Sequence, residues 1–581
     1  PRAAPTHAVV FSYQNRPDPV VSYLSRTRIV NAKLLSTVTT KANGQTARVY
    51  TLIYEQGPSG RSRLRQIKAD PQPAVTFTYQ NGGNGTFTAG PSAKTEGGNN
   101  AGFVYQGHCD IDGYPDLLKF SGETLTPFVY VYLSDGTGGY GGKISTRLAG
   151  SANRAGFLIV ADFDADGPVD IVKVEASGTY GTVYFHRGLG NGAFAAGVRS
   201  DLGGGANDPG RILVGDVFGQ DGSLELIKLR SLSGQVWVHG LQANGAFDAG
   251  VVTSLGAVVD TGRALILDCD GDRRDDLVRI HANSKISVYP SFGNGTFTAP
   301  IETDLGNGAN DPGGIMAGDF NGDGLADLLK IRSLSSHVVI HMSQGDGTFA
   351  AGADTDLGGP AIEPGRMLVA DVDKDGLQDI VRHYWNSTAV DCYRSDGVGF
   401  FRAGIRTGSV PGALYKGHVA LANIDGSGGA DLIRRSRYGD IYSFLSDPRV
   451  PDLLVNAANG LGATYSLSYK SSAEYDNLYL PFNVETLAEF TVNDGNGVTA
   501  TEHYSYADGY YDPKEATFQG FAKTERVLPD RSVEQALYHN DPYLRSRLKK
   551  LEHLNPSGAL LSRTTVTWAA APLPGLARFV K

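Results

Sequence analysis

The sequence predicts an all-β protein: a seven-bladed β-propeller inserted in an antiparallel β-sheet domain formed by both flanks. Three observations predict it. An acidic loop recurs seven times at a near-constant interval, a glycine turn with an aromatic residue recurs in phase with it, and the segments on either side alternate apolar and polar residues.

The clearest loop runs Asp319-Phe320-Asn321-Gly322-Asp323-Gly324-Leu325-Ala326-Asp327, with apolar runs before and after it. Asp319, Asn321, Asp323 and Asp327 fall at positions 1, 3, 5 and 9, and Gly324 at position 6. Hard oxygen ligands at alternate positions converge on one cation only where the backbone curls tightly, and glycine permits that curl. The pattern is that of a calcium loop. An EF-hand would need Glu at position 12 between two helices; here position 12 is Lys330 and the flanks are short and β-like, so the loop joins two strands.

The other copies are His108, Asp110, Asp112 and Asp116; Asp162, Asp164, Asp166 and Asp170; a degenerate stretch from Asp216 to Glu225; Asp268, Asp270, Asp272 and Asp276; Asp371, Asp373, Asp375 and Asp379; and Asn423, Asp425, Ser427 and Asp431. Their last ligands stand 51 to 55 residues apart. Four short strands per repeat of that length make a propeller blade, predicted in the sixth repeat at 367–372, 379–384, 389–394 and 400–406.

Several structural Ca2+ ions are therefore the expected cofactor, with the fullest ligand sets in the second, fifth and sixth loops. In the first, His108 brings an imidazole suited to softer metals. The fourth has Arg273 where glycine is expected, and the seventh loses charge but keeps oxygen through Asn423 and Ser427. The third places Phe218 at position 3 and is expected to be empty, its acids capping their own turn.

The in-phase turn appears as Gly192-Ala193-Phe194, Gly245-Ala246-Phe247, Gly295-Thr296-Phe297, Gly347-Thr348-Phe349 and Gly399-Phe400, and once early as Gly85-Thr86-Phe87. The early copy is a half-repeat. It is expected to close the ring by laying residues 87–90 beside 440–445 as the outermost strand of the last blade. The whole pattern resembles the FG-GAP (VCBS) repeats of integrin-type and lectin-type propellers.

Composition agrees. The 75 glycines in 581 residues suit a turn-rich all-β chain. A net charge of −9 excludes nucleic acid as the natural partner, since phosphate recognition needs a basic surface. No stretch approaches the ~20 apolar residues of a membrane helix. Cys109, Cys269 and Cys392 read as buried small hydrophobes rather than a disulfide framework. The start, Pro1-Arg2-Ala3-Ala4-Pro5, has no signal-peptide pattern and reads as a trimmed or processed end. Loops of this type are filled by extracellular calcium, so a secreted or cell-surface protein is expected, by a route the sequence does not show.

The expected domains are 1–73, 74–447 for the propeller, and 448–581. The front flank contains Arg48-Val49-Tyr50-Thr51-Leu52-Ile53-Tyr54 and then Ser62-Arg63-Leu64-Arg65-Gln66-Ile67. This phrase resembles the N-terminal region of the SpvB family and of the B component of insecticidal Tc toxins (the TcdB and TcaC type). The rear flank contains Asn456-Ala457-Ala458-Asn459-Gly460-Leu461-Gly462, Tyr504-Ser505-Tyr506-Ala507-Asp508-Gly509-Tyr510-Tyr511-Asp512 and Phe518-Gln519-Gly520-Phe521. It is similar to the middle region of the same toxins, which leads towards RHS repeats. The resemblance implies a toxin shell in which the propeller docks a pore-forming or shell component and the whole helps enclose a cargo. Up to Lys581 no RHS array, self-cleaving protease core or ADP-ribosyltransferase region is recognisable, which leaves open a longer shell or a scaffold alone.

No catalytic elbow, zinc helix or phosphate loop is present, and Glu485, Glu489, Glu502, His503 and His539 are scattered, so no enzyme activity is expected. Tyr79, Tyr132, His186, His239, Tyr289, His341 and Tyr393 recur in phase and read as packing residues with a polar tip. The alternative function is a calcium-dependent adhesin or lectin, with glycans stacked on Trp237, Trp385, Tyr140 or Phe401.

Overall fold

The computed structural model describes residues 7–568 apart from 25–26, 97–102, 123–125, 176–180, 204–210, 220–221, 231–233, 257–262, 312, 333, 364, 385–386, 409–417, 437, 515–516 and 542–543. Seven four-stranded antiparallel sheets form the blades of a ring, and one 13-stranded antiparallel sheet is shared by both flanks. The only helical element among the described residues is the 3-10 turn Ser472–Glu474, capped by the Ser471 side chain.

Blade 5 shows the common plan. An aliphatic inner strand, Ile315–Gly318, leads through the acidic loop to Asp327–Ile331, then His337–His341, then the outer Ala353–Asp356. Every residue of Asp327–Ile331 is buried, because both faces of the strand meet a neighbouring blade. Loop position 2 points into the same core: Phe163, Val217, Cys269, Phe320 and Ile424 are fully buried. Cys109, Cys269 and Cys392 are buried free thiols, as the sequence predicts.

The ring closes as expected. Phe87–Lys94 lies antiparallel to Asp440–Ser446, with Phe87 opposite Ser446 and Lys94 opposite Asp440. Two details of the repeat differ from expectation. In blades 2 to 6, unlike the closing strand that begins at Phe87, the turn aromatic is not the start of the outer strand but a lone bridge across the turn, as in Ser343 to Phe349 and Ser395 to Phe401. The outer strand of blade 6 is therefore Ile405–Thr407. That register makes Phe401 the turn residue of blade 6. It is buried against Phe320, with ring centroids 5.7 Å apart, whereas Phe400 is exposed.

Adjacent blades are latched by hydrogen bonds in phase. The serine after the third strand donates to the loop position-2 carbonyl of the preceding blade: Ser291 Oγ to Val217 O (3.1 Å), Ser343 Oγ to Cys269 O (3.1 Å) and Ser395 Oγ to Phe320 O (2.7 Å). A second latch was legible only as a column of residues. The residue three beyond the last acid of each loop is Lys119, Lys173, Lys228, Arg279, Lys330, Arg382 and Arg434 in turn, loop position 12 except in the third loop, which carries one extra residue. Lys330 is fully buried and its Nζ donates to Gly306 O (2.6 Å) and Gly308 O (2.7 Å), on the link from the preceding blade. Lys228 and Arg382 reach Gly203 O and Gly358 O in the same way, each at 2.7 Å. Lys119 finds Thr95, just beyond the closing strand. Lys330→Met keeps the apolar stem and orphans two carbonyls, each worth about 1–3 kcal/mol. We expect a lower urea midpoint with an unchanged m-value; an unchanged midpoint would show that these bonds contribute nothing.

In the large sheet the front strands His7–Leu24, Thr27–Ala42, Gln45–Gln56, Ser62–Ala69 and Gln72–Asn81 lie in chain order. The rear strands follow directly, from Pro451–Ala458 and Thr464–Ser471 to the outermost Leu560–Thr565. The flank strand therefore runs to Asn81, past the expected boundary at 73, and the sheet resumes at Pro451, which pairs with Asn81. The chain leaves for the propeller and returns at one seam: Gly83 N donates to Arg449 O (3.1 Å), and a Cβ on Gly82 would fall 2.7 Å from Pro451 Cβ.

Tyr79 consequently belongs to this sheet, where its hydroxyl donates to Leu64 O (2.6 Å), and not to the ring of in-phase residues. The seventh member is Phe444, opposite Leu432 as Tyr393 is opposite Ile380. The other six are buried between blades, with Nε2 of His239 and of His341 left without a hydrogen-bond partner among the described residues. His186, for example, is fully buried, with Nδ1 3.0 Å from Ala195 O and Nε2 accepting from Ala149 N.

The sheet arches over the loop face of the propeller. A Cβ on Gly113, Gly167 or Gly222 of loops 1 to 3 would come within 4 Å of Leu480, Tyr479 or Pro513. In loops 4 to 7, Gly271 meets Tyr23, Gly322 and Gly376 meet Arg61, and Gly426 meets Ala473. All seven loops thus lie at the junction of the two units. Polar contacts reinforce it, including Tyr114 Oη to Ala473 O (3.0 Å) and Arg402 Nη1 to Pro58 O (3.0 Å).

Candidate metal centres

The loops share a frame that needs no ion. The position-9 carboxylate is a two-handed clamp. Asp327 Oδ2 accepts from Phe320 N (3.0 Å) within the loop and Oδ1 from Ser343 N (2.8 Å) after the third strand. Asp116, Asp170, Asp276, Asp379 and Asp431 repeat both bonds, to Cys109 and Ser134, Phe163 and Gly188, Cys269 and Ser291, Val372 and Ser395, and Ile424 and Ser446. In the third loop Glu225 takes this place with both bonds on the loop side, to Val217 and Phe218. Position 1 caps the curl: Asp319 Oδ1 accepts from Gly322 N (2.6 Å) and Oδ2 from Gly324 N (2.9 Å).

The curl uses left-handed backbone at position 4 as well as at position 6. Gly322 and Gly324 have φ of 74° and 89°, and Ala165, Gly271, Lys374 and Gly426 share the position-4 geometry. Arg273 adopts the conformation of the glycine it replaces, with φ of 68°. In the first loop position 4 is Ile111, a β-branched residue ill suited to that geometry, and its side chain is half exposed.

Among the described residues, three loops bring ligand atoms together. Asp162, Asp164 and Asp170, then Asp268, Asp270 and Asp276, then Asp371, Asp373 and Asp379, each offer carboxylate oxygens within 4.8 Å of one another. In the second and sixth loops the set carries unused oxygen: Asp164 Oδ1, Asp373 Oδ1 and Asp375 Oδ2 are buried with no hydrogen-bond partner. Buried, orphaned, anionic oxygen is the donor chemistry of a hard cation site, so the residues fit calcium there. Arginines already approach these groups. Arg187 pairs with Asp164 (2.7 Å) and Asp166 (2.6 Å), Arg394 with Asp373 (3.1 Å), and Arg274 with Asp272.

The fifth loop has Asn321 at position 3 where those three have a carboxylate. Its Asn321 amide turns to Asp323 Oδ2 (3.1 Å) and Met342 Sδ (3.5 Å), and its Asp319 accepts from backbone donors as Asp268 and Asp371 do in the fourth and sixth loops. A cleft of about 700 Å³ between the front flank and blades 5 and 6, lined by Asp18, Arg28, Arg61, Asn321 and Asp323, gives access to it. In the first loop burial holds the His108 imidazole below its usual pKa, and Asp110 Oδ1 accepts from Asp112 N at 3.3 Å. In the seventh, Asn423 Nδ2 donates to Asn483 Oδ1 across the junction (2.6 Å), and Asp425 Oδ1 accepts from Ser427 N (2.9 Å).

Burial, opposed by the backbone bonds, raises the clamp carboxyls: Asp116, Asp327 and Asp431 to about 7, Asp170 and Asp276 to about 8, and Asp379 well above the usual range. Burial also lifts Asp162 and Asp371 to about 6 and Asp375 to about 7. At about 8, Asp170 and Asp276 favour the protonated form at neutral pH when no cation is bound.

Phe218 in the third loop is an apolar plug, its ring 2.3 Å from where a Cβ on Gly295 would stand. Of the aromatics considered for glycan stacking, Phe401 is buried. Trp237 is half-buried and stacked on His239 at 6.2 Å, and the Tyr140 hydroxyl is enclosed. Trp385 lies outside the described residues.

Fold and loops together define a class: a seven-bladed propeller of FG-GAP-type repeats carried as an insertion in an antiparallel sheet. Residues 268–329 match the family model of the FG-GAP-like repeat. Residues 393–551 match that of the insecticide toxin TcdB middle/N-terminal region, as the rear-flank motifs predict. Two solved structures share the fold. The Photorhabdus luminescens Tc holotoxin pore is 16% identical over 93% of this chain and 27% of that one, with a TM-score of 0.60. TcdB2-TccC3 is 15% identical over 95% of this chain and 30% of that one, with a TM-score of 0.53. The present chain thus spans less than a third of either. No curated protein matches the sequence.

Proposed function

We propose that the chain is the non-catalytic scaffold and binding portion of a secreted Tc-type toxin shell. Its propeller docks a partner protein, a pore-forming or shell component, and its sheet helps enclose a cargo. The observation that carries this is the sheet itself, one continuous surface of 13 antiparallel strands that the propeller interrupts in sequence but not in space. Its front edge strand pairs on one side only and exposes Val9, Phe11 and Tyr13. Such an edge is a template for further strands, which suits a wall that other chain continues. The match of residues 393–551 and the shared fold support the same reading. Ca2+ in the loops stabilises the propeller where it meets the sheet, and the extracellular medium supplies the ion.

Size-exclusion chromatography with light scattering on the native assembly, followed by intact-mass analysis of each chain, tests this reading. A stoichiometric complex with a second protein chain, or a native chain far longer than this one, is the expected result. A lone chain of 61.6 kDa that binds a glycan array would replace the scaffold reading with the adhesin.

A further inference from the structure

We infer that the ammonium group of Lys374 takes the place of a metal ion in the seventh loop, so that the blade closing the ring is held without calcium. The inference rests on the calcium reading of the second, fourth and sixth loops, and it departs from that reading at the seventh.

Lys374 occupies position 4 of the sixth loop with φ of 64°, where loops 4, 5 and 7 use Gly271, Gly322 and Gly426. A long side chain in left-handed backbone costs conformational energy, so it is retained where the side chain has work that glycine does not do. The side chain is not in solvent. Lys374 is 9% exposed, and its Nζ is enclosed with no hydrogen-bond partner among the described residues. It runs instead against the seventh loop, where a Cβ on Gly429 would fall 2.8 Å from Lys374 Cε. Glycine at 429 is thus required by close approach.

The acids acting on the ammonium are Asp425 and Asp431 of the seventh loop, Glu485 of the sheet and Asp447 at the end of blade 7. Among the described residues no arginine pairs with Asp425, in contrast to Asp164 and Asp373 of the second and sixth loops. The loop itself has lost two formal charges, through Asn423 and Ser427, and Ser427 Oγ is a buried polar atom without a hydrogen-bond partner among the described residues. One fixed positive charge against a reduced anionic set is the electrostatic arrangement that a divalent ion provides for the fuller loops. Through Glu485 the same charge also ties blade 7 to the sheet.

Calcium bound per full-length chain, counted by equilibrium dialysis against millimolar CaCl2 and elemental analysis, tests the assignment. Asp425→Asn is expected to leave the count unchanged, Lys374→Met to raise it by one ion, and the double variant to lose that gain. Loss of one ion in Asp425→Asn, or no gain in Lys374→Met, would overturn it. Should Asp425→Asn not fold, Ser427→Ala serves, with an unchanged count expected and a lost ion overturning the inference. Asp373→Asn separates the two readings, since it should lose one ion whatever happens at Lys374. No calcium in any variant would sink both readings, whereas one ion appearing only in Lys374→Met would leave this one standing alone.

Discussion

Chelation of divalent ions is expected to lower the melting temperature of the protein by roughly 10 °C at pH 8, since each ion held at a hundred times its Kd adds about 2.7 kcal/mol and at least three loops can hold one. The effect should shrink at pH 5.5. In the metal-free protein, Asp170 and Asp276 rise from 3.8 to about 8, so between these values the native state binds more protons than the unfolded chain. Metal-free stability therefore falls as pH rises through 7 to 8. Calcium requires the deprotonated carboxylates, so its binding strengthens over the same interval. The two trends add: the calcium-induced shift, read by calorimetry with and without EDTA, is largest at alkaline pH. A shift independent of pH would remove the buried carboxylates from the explanation.

The second large effect separates the clamp from the ligands. Asp327→Ala leaves Phe320 N–H and Ser343 N–H without their acceptor in a fully buried site. A loss of roughly 3–5 kcal/mol in the unfolding free energy is expected already in EDTA, where no ion contributes. Asp373→Ala removes an orphaned oxygen and the Arg394 pair. With the Asp373 side chain 5% and that of Arg394 18% exposed, its loss in EDTA is that of a largely buried pair, offset by relief of repulsion among the loop carboxylates. The loss should be smaller than that of Asp327→Ala, and one ion's increment should vanish when calcium is present. Matching losses for both variants in EDTA would mean that position 3 is structural too.

The propeller was legible because its determinants are local. Loop carboxylates, turn glycines and the stray Gly85-Thr86-Phe87 stand at fixed offsets, and the closing strand follows from counting them. Errors arose where counting lacked an anchor. Measured from Gly399 the turn aromatic of blade 6 is ambiguous between Phe400 and Phe401; only the bridge to Ser395 decides it. Tyr79 fell into phase by coincidence of spacing, its true neighbours being sheet strands brought together across the whole propeller. The dual character of position 9 could not be read at all, since an aspartate that clamps two amides and one that binds calcium are the same letter. Nor does any local pattern announce that Tyr23, Arg61 and Tyr479 cover the loops.

The single seam at Asn81 and Pro451 has a consequence for how such a molecule can be built and rebuilt. Because the outgoing and returning strands are already neighbours, the segment between them is a cassette with adjoining ends. Cutting it out and joining the two strands by a short hairpin would leave the sheet's order intact. Conversely, the excised ring could be given new termini in any exposed turn, because its own ends meet beside the closing strand. A fold wired this way lets the wall and the ring diverge, or be exchanged between relatives, without either having to be threaded through the other.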